Sequence, residues 1–154
     1  YPNRLVPIEE VGTDRVRLDA LSPEARRRYG KTWFAHFGEQ DIIVDPGGYV
    51  APPLDGIWAS APYFHNGSVP TLWHVLHPNQ RPKIWKRTDD GYDHDRIGLE
   101  VETFDKLPKE VNSTTAARWY FDTRGTGNST ARTTFQDELN AQQKRAVLEY
   151  LKTL

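Results

Sequence analysis

The sequence predicts a mainly α-helical chain in which long, ordered Pro- and Gly-rich loops join the helices and little sheet forms. Three observations carry this. Helix start and stop signals recur at Ser22–Gly30, at Pro70–Pro78 and from Asn140 onward. Eleven Gly and eleven Pro are spread along the 154 residues instead of being gathered in one linker, which divides the chain into short elements. A compact run of β-branched residues occurs at Ile42-Ile43-Val44 and is brief.

In chain order, Ser22 is placed to cap a first helix, Pro23 suits its first turn and Gly30 closes it. Asp41 to Asp45 reads as a short strand ended by the Pro46-Gly47-Gly48 turn. Tyr49 to Val69 combines Pro52, Pro53, Gly56, Pro62 and Gly67 with aromatic residues, and reads as an ordered loop facing the interior. Pro70 then opens a helix of about two turns, with Leu72, Val75 and Leu76 on one stripe and Pro78 stopping it. Residues 83–112 are irregular and Asp-rich, and predict turns with a hairpin attached through Tyr92, Ile97, Leu99, Val101 and Phe104. The C-terminal helix is the clearest element: Asn140 and Gln143 form a capping box, and Val147, Tyr150, Leu151 and Leu154 give an apolar stripe.

Length allows one ordinary domain, 1–154. Twenty basic residues balance 21 acidic ones, so no general field attracts nucleic acid or an anionic membrane. No apolar run approaches the roughly 20 residues that span a bilayer, and a soluble chain without a membrane span is expected. The sequence starts at Tyr1 with no initiator Met or signal core, which reads as a mature, trimmed or excised segment. With no Cys there is no disulfide, no thiolate nucleophile and no covalent anchor for a c-type haem. Phosphate, dinucleotide and hydrolase signatures are missing as well.

Five His remain as candidate ligands: His36, His65, His74, His77 and His94. His74 and His77 stand three apart, but no carboxylate or third His lies near them, and they are expected at the surface. Asp89 to Asp95 offers hard oxygen ligands around Gly91 for Ca2+; an acidic surface turn explains the same residues. Asn66, Asn112 and Asn128 each begin an Asn-x-Ser/Thr sequon.

The most particular stretch is Ala61-Pro62-Tyr63-Phe64-His65-Asn66-Gly67-Ser68-Val69-Pro70-Thr71-Leu72. Flanking it are Pro7 to Asp14, Arg81-Pro82, Phe121-Asp122-Thr123, Gly127-Asn128-Ser129 and the terminal Leu148 to Leu154. Together these resemble the C-terminal portion of di-haem c-type cytochromes of the bacterial cytochrome c peroxidase superfamily, in the branch that includes rubber oxygenases.

That resemblance implies cytochrome-c-like helices and a haem-dependent oxidoreductase, peroxidase-like or oxygenase-like. Haem c would be held by CxxCH sequence outside this chain, and this chain would be one part of a larger haem protein. It implies as partners the remaining haem-bearing polypeptide or a companion haem chain, and an electron-donor protein, in the periplasm or another exported location. Trp58, Tyr63, Phe64 and His65 are the implied cofactor-binding residues. The aromatics would give flat apolar walls and His65 a nitrogen for the iron. Phe64 stands where some relatives place an axial Met or Tyr, and Arg132-Thr133-Thr134-Phe135 lacks the Gly-His some relatives carry. His65 equally suits holding a Pro-rich loop by hydrogen bonds, and the aromatics suit a core. No catalytic acid or base is assigned. The alternative is a haem-free structural or interaction module that kept the scaffold.

Overall fold

In the computed structural model, residues 4–12, 15–39, 46–130 and 138–154 are described, and they divide into two units, Tyr1–Pro52 and Pro53–Leu154. The first unit is organised by a two-stranded antiparallel ribbon. Strand β1 (Leu5–Pro7) pairs with β2 (Gly48–Val50), Val6 facing Tyr49. A side chain at position 48 would meet the Val6 carbonyl oxygen at 2.0 Å, so only glycine permits this approach. Helix α1 (Ile8–Val11) follows β1 directly and ends at Gly12 with φ 71°. Helix α2 (Val16–Asp19) and helix α3 (Pro23–Tyr29) complete the unit's regular helices, with Ile8, Leu18 and Ala35 buried.

Helix α3 forms as its sequence predicts: Ser22 Oγ accepts from Ala25 N at 3.2 Å, and Arg26, Arg27 and Arg28 sit in the last turn, where the helix dipole favours cations. The strand expected at Asp41–Asp45 lies outside the described residues.

The second unit holds the larger core. Its chain runs through helix α4 (Leu72–Leu76), strands β3 (Ile84–Asp93) and β4 (Gly98–Phe104), helix α5 (Thr114–Ala117), strand β5 (Tyr120–Asp122) and helix α6 (Ala141–Leu151). The sheet order is β4-β3-β5, antiparallel throughout, with β3 central. Ile84 faces Phe104 on one side and Asp122 on the other. Cross-strand aromatics fix the pairing: Trp85 stacks on Phe121 at 5.2 Å, and Phe104 meets Tyr120 edge-on at 5.4 Å.

The mainly α expectation is therefore corrected: two antiparallel sheets stand among short helices, a mixed α/β arrangement. The period-two signal lies in Ile97, Leu99 and Val101, which alternate with Gly98, Glu100 and Glu102. The hairpin expected within residues 83–112 is present as β3–β4; what the polar, Asp-rich run hides is that β3 is central, since its second partner β5 lies further along the sequence.

Buried Tyr63, Val69, Leu72, Leu76, Ile97 and Leu148 form the core of this unit. It draws on the Tyr63–Leu72 segment, α4, the β3–β4 turn and α6. Two helix details differ from expectation. Pro70 does not open α4; Thr71 caps it, its hydroxyl accepting from His74 N at 3.2 Å, and the helix runs Leu72–Leu76. On α6 the capping box is present and Val147 and Leu151 of the expected stripe pack against the core, but Leu148 is the buried residue there and Tyr150 is 61% exposed. Among the described residues no helix is long and apolar enough to cross a membrane.

Candidate functional site

The motif Ala61 to Leu72 folds as a tight, cross-braced loop. Tyr63 and Val69 form a two-way bridge, Tyr63 N to Val69 O at 2.7 Å and the reverse bond at 3.3 Å. Between them the chain reverses through Phe64 and Gly67, with φ of 65° and 67°. Left-handed Phe64 is costly for a non-glycine residue, and the loop is held in place by side-chain clamps.

Asn66 is one clamp. Its amide nitrogen donates to the carbonyls of Gly127 (3.0 Å) and Ser129 (3.1 Å), while its oxygen accepts from Ser68 N at 3.1 Å. The sequon at Asn66 is thus occupied by internal bonds. Asn128 likewise donates to Asp122 O at 3.0 Å.

Arg81 is the second clamp. It donates to the carbonyls of His74 (2.9 Å), Val75 (3.0 Å) and Thr130 (2.8 Å), and its guanidinium lies 4.9 Å from the centre of the Phe64 ring. The carbonyls of His74 and Val75 lie at the C-terminal end of α4, where a short helix leaves acceptors unpaired. Trp85 of β3 supplies the third clamp, its indole N–H donating to Ser68 O at 3.1 Å.

The four residues singled out by resemblance have different surroundings. Tyr63 is 6% exposed, and its hydroxyl donates to the Ile57 carbonyl at 3.0 Å and lies 3.4 Å from that of Trp58. Burial, with Tyr92 close by, pushes this phenol far above its ordinary pKa, so it stays a neutral donor. Phe64 packs on the core edge beneath Arg81. His65 is half-buried, and its Nε2 is shielded from solvent. Trp58, 45% exposed, presents its ring outward. It borders a hollow of about 290 Å3 with Tyr92, His94, Ile97 and Lys152. The Tyr92 hydroxyl also donates to the Trp58 carbonyl, so two phenols anchor that backbone.

His74 corrects the expectation of surface placement. It is 5% exposed, and its Nδ1 lies 2.7 Å from Thr71 Oγ1. Burial, reinforced by Arg96, lowers its pKa to about 4, with Asp93 opposing and Arg81 and His77 adding to the fall. His77 stacks on Trp73 at 3.7 Å. In the Asp89–Asp95 run, Asp89 to Asp93 belong to β3, and the turn starts beyond them, where Asp93 Oδ1 accepts from the backbone N–H groups of Asp95 and Arg96. Among the described residues no three His, Asp or Glu side chains converge as a metal site. Arg132 to Phe135 lies outside the described residues.

Residues 48–86 match a protein family described as RoxA-like, cytochrome c-like. The matched stretch runs from β2 into β3 and includes Trp58, Tyr63, Phe64, His65 and Arg81. Two relatives from Sinorhizobium fredii (strain NBRC 101917 / NGR234) are similar to this chain. The uncharacterized protein y4iJ is 38% identical over 125 residues, 75% of this chain and 19% of that protein. The uncharacterized protein y4iM is 51% identical over 55 residues, 36% of this chain and 13% of that protein. The chain thus spans about a fifth or less of the length of these curated relatives.

Against the needs of a c-type haem, the chain offers an exposed indole at Trp58 and an imidazole at His65 whose Nε2 is shielded from solvent. Thioether attachment is not among its contributions, since the sequence has no Cys.

Proposed function

We propose that this chain is the C-terminal segment of a larger haem-dependent oxidoreductase, peroxidase- or oxygenase-like and of the di-haem cytochrome c kind. Its part is to supply some of the haem surroundings. The observation that carries this is the RoxA-like, cytochrome c-like match over residues 48–86, the stretch whose fold is braced by Asn66, Arg81 and Trp85. Haem c would be attached through CxxCH sequence elsewhere in the polypeptide or on a companion chain, with an electron-donor protein as partner and an exported location. When bound, haem supplies an iron that changes oxidation state and can activate peroxide or O2.

The chain's own residues then have distinct tasks. Trp58 offers an apolar face, and the Tyr63 and Tyr92 hydroxyls fix its backbone. Tyr63 and Phe64 fill the core behind it, excluding water from that side. Arg81 holds the loop geometry by three carbonyl bonds, and His65 is the nitrogen donor proposed to face the iron.

The test is the intact mass and visible spectrum of the longer protein purified from its source. A Soret band on a species well above 17.7 kDa is expected, and His65→Ala should displace the band or change the spin state. A species with no visible absorbance would sink the haem reading and leave a haem-free scaffold module. An unchanged spectrum in the variant would remove His65 as ligand alone.

A further inference from the structure

The three Asn-x-Ser/Thr sequences meet different fates in the fold. Asn66 spends its amide nitrogen on the carbonyls of Gly127 and Ser129, and Asn128 spends its own on that of Asp122. Both residues are partly buried, and a bulky group attached at either nitrogen would break bonds that brace the second unit. Asn112 differs. It is exposed, in the loop between β4 and α5, and among the described residues its side-chain amide has no hydrogen-bond partner. Only its backbone is engaged: Asn112 N donates to Glu110 O at 3.0 Å, just after Val111 N donates to Pro108 O at the same distance.

The surroundings suit attachment at Asn112. Thr114, the hydroxyl residue two places on, is exposed and begins α5. That helix has four residues and buries none of them, and its start is held by Ser113 Oγ, which accepts from Ala116 N at 3.2 Å. So short an element opens locally without disturbing the core, which frees residues 110–114 to enter a modifying enzyme as an extended segment. Glu110 stands two residues before Asn112, exposed and with no ion pair among the described residues. Phe64 and Thr126 hold the corresponding places before Asn66 and Asn128. A carboxylate at that spacing is a charge that cationic groups of such an enzyme can grip. Beside the loop, a hollow of about 420 Å3 lined by Glu110, Val111, Ala116 and the exposed Trp119 leaves room for a first sugar against a flat apolar face.

We propose that Asn112 is a site of N-linked glycosylation, recognised by its transferase through Glu110 and Thr114. The co-substrate is an oligosaccharide carried on a polyprenyl diphosphate. A bond forms between Asn112 Nδ2 and C1 of the first sugar, and the C1–O bond to the diphosphate breaks. The lipid diphosphate leaves with that electron pair, the amide gives up one proton, and nothing is oxidised or reduced. Such transfer rests on the exported location of the proposed function and is independent of haem.

The test is the tryptic peptide Glu110–Arg118 of the longer protein purified from its source, read by mass spectrometry. It is expected to be heavier than its sequence by whole sugar residues, with fragmentation placing them on Asn112, while the peptides that hold Asn66 and Asn128 stay bare. Asn112→Gln and Thr114→Ala should each remove the added mass, Thr114→Ser should keep it, and Glu110→Gln should lower occupancy about threefold or more. All three positions are exposed, so these changes leave the core intact. A bare Glu110–Arg118 peptide, or sugar on the hydroxyls of Ser113, Thr114 or Thr115 with Asn112 bare, overturns the site. Full occupancy in Glu110→Gln overturns the part given to that carboxylate. The two readings fail separately. A Soret band on a protein whose peptide is bare removes the glycan and keeps the haem; a glycopeptide on a species without visible absorbance does the reverse, and the cell fraction from which the protein is recovered reads the exported location by itself.

Discussion

Arg81 does more for this protein than any other described charged side chain, because its guanidinium satisfies three carbonyls from two separate stretches of chain. Arg81→Ala should lower stability by about 2–4 kcal/mol in a denaturant titration, since charge-assisted bonds are lost and helix-end acceptors are left open. Arg81→Lys should recover less than half of that, because one ammonium cannot reach three acceptors at fixed angles. Asn66→Ala removes the other clamp and should cost about 2–3 kcal/mol. The exposed pairs Arg15–Asp19 and Arg28–Glu24 should contribute little by comparison. His74 sets a pH dependence. Its pKa falls from 6.5 unfolded to about 4 folded, so the folded state binds fewer protons between those values. Its contribution is intact above pH 6.5, declines as pH drops toward 4 and is fully lost below it, on the order of 3 kcal/mol in all. Urea midpoints from pH 7.5 to 4 should show this decline, and His74→Gln should flatten it. An equal slope in the variant would refute the assignment.

At the scale of elements, Gly98 is the tightest of the described glycines in the second unit. Its φ is 150°, and a Cβ there would sit 2.3 Å from the Pro70 carbonyl oxygen and 2.7 Å from Thr71 Cα. Gly98→Ala should therefore cost more than about 2 kcal/mol, measured as a fall in thermal midpoint, because backbone on both sides would have to move. This is also where sequence reading reached its limit. Helices α3 and α6 were legible because capping is local: Ser22 with Ala25, and Asn140 with Gln143, are three residues apart. The hairpin expected within residues 83–112 is present as β3–β4, but the central place of β3 was not legible, because its second partner, around Phe121, is far away in sequence. His74 looked like a surface residue for the same reason: Arg96 and Asp93, two of the charges close to it, come from the β3–β4 hairpin about 20 residues further along the chain.

For the whole molecule, the motif at Ala61–Leu72 stood out in sequence, and the family match falls over it. What sequence could not disclose is which of its residues are spent on packing. Tyr63 and Phe64 face inward, Trp58 faces out, and the bracing by Asn66, Arg81 and Trp85 joins positions up to 63 apart. All six residues of the buried core cluster lie within Pro53–Leu154. A chain of residues 53–154 should accordingly unfold in one cooperative transition and keep its near-ultraviolet tryptophan signal; a non-cooperative melt would show that the first unit is required.

The first amides of α4 have an unusual destination. Leu72 N donates to Ile97 O at 2.8 Å and Trp73 N to Arg96 O at 3.0 Å, while Leu99 N returns a bond to Pro70 O. A helix start normally leaves such N–H groups to water. Here their hydrogen–deuterium exchange is gated by the β3–β4 turn, so protection at Leu72, Trp73 and Leu99 should rise and fall together, and one amide from the helix becomes a clock for the opening of the hairpin.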